Sequence, residues 1–68
     1  MKKNLDCMDQ TELQSVTVDP DQPDAYRVYA SRKLLAVRAR LEGQIPLAMV
    51  MEGECDRIYE SMPRDLRW

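Results

Sequence analysis

At 68 residues the chain has room for one small domain, and a domain of this size buries only about 60% of the surface its unfolded form exposes. With no histidine, two glycines and two widely separated cysteines, the composition excludes Ser-His and Cys-His nucleophiles, a glycine-rich phosphate loop and a zinc centre of recognisable form. A net charge of −2 supplies no overall positive field for nucleic acid, and stability is expected to rest on well-packed helices or on a partner that binds the folded chain.

Lys2 and Lys3 are followed by Asn4, Asp6 and Asp9, where a signal peptide needs an apolar region of about 7–15 residues. No targeting segment is read there, and residues 1–7 are expected to form a flexible tail. The first helix is expected over about residues 9–18. Asp9 is placed as its N-cap, Glu12 at N3 completes a capping box, and Met8 and Leu13 have the spacing of a hydrophobic staple. The β-branched run Val16, Thr17, Val18 then weakens helix propensity. Residues 19–23 read as a linker, because Pro20 and Pro23 push their predecessors toward extended backbone.

The second helix is expected over about residues 24–42, with Asp24 as cap and Gly43 as its left-handed end. Tyr26, Ala30, Leu34, Val37 and Leu41 recur along it at steps of four and three and form its apolar stripe, with Tyr29 alongside. The third is expected over about residues 46–62, with Pro46 in its first turn and a stripe of Leu47, Met51, Cys55, Ile58 and Met62, broadened by Val50 and Tyr59. Met49 falls off this stripe and, where exposed, would meet a partner. Gly53 implies either a close neighbouring backbone or a weakened helix. The apolar run Ile45 to Met51 is far shorter than the roughly 20 residues that span a bilayer, so no membrane contact is expected.

Only Gly43, Gln44 and Ile45 join the two long helices, which therefore fold back antiparallel, and the first helix closes an all-α three-helix bundle. Charge supports that pairing. Residues 25–41 carry five basic side chains and no acid, whereas residues 42–62 carry five acids and Arg57. Glu52, Asp56 and Glu60 at steps of four read as a solvated face rather than a catalytic carboxylate pair. No catalytic residue, metal ligand or cofactor is assigned. Cys55 sits at a core position and Cys7 in the tail, and free thiols in those places suit a cytoplasmic protein. Trp68 has two readings, an interface anchor or a cover for the open end of the bundle.

Lys3-Asn4-Leu5, Met8-Asp9-Gln10-Thr11-Glu12-Leu13, Val16 and Val18-Asp19 resemble the N-terminus of the theta subunit of bacterial DNA polymerase III, a family with a phage-borne member. The resemblance covers residues 3–19, a quarter of the chain, and Ile45-Pro46 is similar to the start of that family's second helix. Where the family continues its first helix through alanines, this chain has Pro20 and Pro23. The resemblance implies a non-catalytic accessory protein of DNA replication that binds and stabilises the epsilon proofreading exonuclease of a replicative polymerase. It places Met8, Leu13, Val16, Val18, Ile45 and Pro46 on the partner surface. The alternative is a small phage- or plasmid-type helical regulator of a nucleic acid or a host protein, alone or as a homodimer, resting on the basic stretch Arg27 to Arg40. Direct nucleic-acid contact is not expected on the first reading.

Overall fold

A computed structural model describes residues 4–68. The chain is an all-α three-helix bundle: α1 spans Gln10–Val18, α2 Asp24–Leu41 and α3 Ile45–Ser61, after a single 3-10 turn at Leu5–Cys7. The expected boundaries hold to within a residue or so.

The ends of the helices follow from local chemistry. Asp9 has extended backbone and its Oδ1 accepts from the Glu12 amide at 2.9 Å, which satisfies one of the free donors at the start of α1. The linker is an Asx-type turn, in which Asp19 Oδ1 accepts from the Asp21 amide at 2.9 Å. Asp24 does not cap α2 as expected. Pro23 occupies the cap position, and Asp24 is the first helical residue, with its carboxylate bound by Arg27 one turn on. A carboxylate in the first turn still gains from the helix dipole. At the other end Gly43 adopts φ +79°, the Gln44 amide donates to the Ala39 carbonyl at 2.8 Å and the Gly43 amide to Arg40 at 3.1 Å. This is a Schellman closure, and it requires the left-handed residue that glycine supplies without strain.

The central element is α2, with α1 along one side and α3 along the other. Arg38, near the end of α2, shares a hollow with Gln10 and Thr11 at the start of α1, so these two helices are antiparallel, as are α2 and α3. The core cluster joins Leu5, Leu13, Val16, Tyr29, Ala30, Leu34, Cys55 and Met62. Toward the α2–α3 turn the buried positions shrink to Ala36, Ala39 and Ala48.

The basic helix does lie beside the acidic one. Arg40 forks onto Glu52 at 2.6 and 2.7 Å, and Arg32 reaches Glu54 at 3.7 Å. Such exposed pairs are screened by solvent and contribute little, so they set which helix faces which more than how firmly they hold. The Arg40 guanidinium, by its hydrogen bonds, holds the Glu52 carboxyl below the usual carboxylate range. No backbone packs against Gly53. A Cβ placed there would meet only the far end of Arg57 at 4.0 Å, so this glycine weakens α3 without serving a close approach.

The N-terminal tail expected over residues 1–7 is docked from residue 4 onward; residues 1–3 lie outside the described residues. Leu5 is 1% exposed, inserted into the core by a turn that the Asn4 side chain caps through the Asp6 amide at 3.0 Å. Asp6 is held in turn by the Tyr29 hydroxyl, which donates to it, and by Lys33 at 3.5 Å. At the same end residues 63–68 fold back after α3. The Trp68 ring stands 4.8 Å from Tyr59, 4.9 Å from Tyr29 and 6.1 Å from Tyr26, in tilted or edge-on arrangements. Tyr26 and Tyr59 donate hydroxyl hydrogen bonds to the carbonyls of Leu66 and Trp68, and Arg67 lies over the Tyr59 ring. Trp68 therefore covers an open end of the bundle, the second of its two expected roles.

Candidate functional site

The six residues expected on a partner surface do not form one. Leu13 (0% exposed) and Val16 belong to the core, because α1 turns its one apolar edge onto α2 and has no other. Met8 is half-buried against the same cluster. Val18, 65% exposed, ends α1 near the start of α2, whereas Ile45 and Pro46 lie beyond its end. With a rise of 1.5 Å per residue, α2 separates these two places by roughly 25 Å. Only Ile45 and Pro46 remain as neighbours on an accessible surface.

Around them the structure gathers a patch in which Leu41, Leu47 and Val50, expected on the apolar stripes, lie exposed with Ile45 and Met49. Leu41 is 72% exposed and Met49 62%, and Ile45, Leu47 and Val50 are each about half exposed. The cause is geometric. From Ile45 to Met51 every residue is apolar, and consecutive residues point in directions about 100° apart around a helix. A single neighbouring helix covers one side of that run, so Ala48 is buried, Met51 is partly buried and the rest are left in solvent. Leu41 continues the α1-facing stripe of α2 past the first residue of α1, where no helix remains to cover it. The signal was present in the sequence: an unbroken apolar run has no polar face to show to water, and Met49 was already off the stripe.

Among the described residues the ion pair at this end of the hairpin is Arg40–Glu52, and the large side chains exposed beside it are apolar. Reactive groups lie elsewhere. Burial pushes the Cys55 thiol up to about 11, with its Sγ 3.8 Å from the Tyr29 carbonyl. Burial, together with the hydrogen bond to Asp6, raises the Tyr29 hydroxyl as well. Both groups are kept neutral inside the core, a setting for packing rather than nucleophilic attack. Among the described residues no group of three His, Cys, Asp or Glu side chains is placed to hold a metal ion, and no helix is long and apolar enough to cross a membrane.

Compared with known protein families, curated proteins and solved structures, the chain has no match.

Proposed function

We propose that this chain is a non-catalytic binding protein that seats the end of its α2–α3 hairpin on a protein partner. The observation that carries this reading is the group Leu41, Ile45, Leu47, Met49 and Val50, five large apolar side chains exposed together on a domain of 68 residues. Large apolar side chains exposed at one end of so small a domain mark an interaction site, and methionine adapts well to a partner's contour. The resemblance of residues 3–19 to the theta subunit supplies the class of partner, a proofreading exonuclease of a replicative DNA polymerase. On this reading the well-capped α1 serves the partner indirectly: Leu13 and Val16 lock α1 onto α2 and so hold the hairpin, while Ile45 and Pro46 make the contact.

One further observation supports it over a nucleic-acid regulator. Of the basic side chains between residues 25 and 41, Arg27, Arg32, Lys33 and Arg40 are each engaged by a carboxylate of this same chain, which leaves little free charge for phosphates. Both cysteines are free thiols, in keeping with a reducing cytoplasm.

The test is to mix the protein with a bacterial epsilon exonuclease domain and to follow co-elution and the exonuclease's thermal half-life. Co-elution with a longer half-life, both abolished by Met49→Glu, is the expected result. Separate elution overturns the partner, and binding that survives Met49→Glu overturns the surface.

A further inference from the structure

The solvent side of α2 carries a second pattern, independent of the hairpin end. Asp24, Val28, Ser31, Leu35 and Arg38 follow one another at steps of four, three, four and three, and so form one ridge along the helix. Val28 and Leu35 are both close to half exposed on it, and none of the described residues packs over them fully. The ridge reads as its own complement when reversed. Ser31 stands at its middle, with Val28 and Leu35 on either side. Asp24 and Arg38 both lie seven residues out, about 10 Å along the axis in opposite directions.

We propose that this ridge is a homodimer interface, with the α2 helices of two copies antiparallel about a two-fold axis through Ser31. The axis brings Val28 of each copy opposite Leu35 of the other and Asp24 of each opposite Arg38 of the other. A small residue at the crossing lets the two backbones approach closely, and an isologous contact of this kind closes at two subunits. The charges are available for it. The Asp24 side chain is 86% exposed even with Arg27 beside it, and Arg38 takes part in none of the ion pairs among the described residues. Beside Val28 lies a hollow of about 350 Å³ walled by Ala25, Val28, Ile58 and Met62, with Asp24 and Arg57 at its rim. Leu35 of the second copy, opposite Val28, fills that hollow. The polarity of the ridge selects a second copy over an unrelated helix: acid at one end, base at the other and apolar groups between match this same sequence run backwards.

Sedimentation equilibrium of the full chain over a wide concentration range tests the proposal, with circular dichroism to show that each variant is folded. The mass is expected to rise from 7.9 kDa toward twice that value, and Leu35→Glu to hold it at the monomer. Asp24→Arg and Arg38→Asp, each of which sets like charges against each other twice in the dimer, are each expected to weaken association roughly tenfold, and the double variant to restore it. Met49→Glu, at the hairpin end, leaves the dimer intact and so separates this interface from the exonuclease-binding surface. A wild-type chain that stays monomeric throughout overturns the proposal and leaves the ridge to a helix of another protein. Association unaffected by Leu35→Glu, or a charge-swapped double variant no better than the single ones, also overturns it.

Discussion

The two ends of the α2–α3 hairpin are built from the same two helices and solve opposite problems. At one end large side chains from four separate segments converge: Leu5 from the 3-10 turn, Leu13 and Val16 from α1, Tyr29 from α2, and Met62 and Trp68 at and beyond the end of α3. At the other, α2 and α3 meet through Ala36, Ala39 and Ala48, and the larger apolar side chains point outward. A helix pair can bury only the sides that face each other, so apolar groups elsewhere need a third element to cover them. The N- and C-terminal segments provide that cover at the first end. Among the described residues the second end has none, and that is the physical reason for placing the partner there.

The contrast is sharpest in its expected energetics. Leu13→Ala should cost about 3 kcal/mol or more, since a fully buried leucine leaves a cavity that the small core cannot close, and this is measured by urea denaturation. Trp68→Ala should cost about 2 kcal/mol by opening the aromatic end, with a loss of tryptophan fluorescence and of the near-ultraviolet dichroism of its tyrosine neighbours. A smaller loss there would mean that the last residues cover the core without supporting it.

Alkaline pH probes the same end. Cys55 has a folded pKa near 11 against an ordinary value of 9.0, so its thiol ionises first in the unfolded chain. Its contribution is fully present below pH 9 and lost as pH rises through about 11, on the order of 2 kcal/mol. The raised Tyr29 hydroxyl acts in the same direction. Unfolding curves recorded across that window should therefore show falling stability, and Cys55→Ala should flatten part of the fall.

Effects should shrink away from that end. Gly53→Ala is expected to stabilise by up to about 1 kcal/mol, because the added methyl meets nothing but a movable arginine tip and helix propensity improves. Met49→Glu should change stability by less than about 0.5 kcal/mol in the same denaturation assay. If Met49→Glu were as costly as Trp68→Ala, the hairpin end would be a structural surface and the comparison would fail.

Much of this architecture was legible in the residues. Asp9 and Gly43 announced helix ends through requirements that are local, a side-chain acceptor at one and a positive φ at the other. Opposite charge on the two long segments anticipated Arg40 against Glu52 and Arg32 against Glu54. The candidate surface was less legible. The family resemblance points Leu13 and Val16 outward, yet a short helix with one apolar edge uses that edge for its own packing. Periodicity points Leu41, Leu47 and Val50 inward, because it shows which residues share a face and not whether anything covers that face along its whole length.

By itself the sequence determined the three helices, the Asp9 cap, the Gly43 turn and the antiparallel hairpin, because each depends on residues within a few positions of one another. Only the tertiary structure decided that Leu5 and Trp68 close one end, that Asp6 binds Tyr29 across 23 residues, and that the run Ile45 to Met51 stays largely uncovered. Those outcomes depend on where one segment ends in space relative to another. α1 is nine residues long against eighteen in α2, and that difference in length, more than any property of the apolar residues themselves, leaves the far end of the hairpin open.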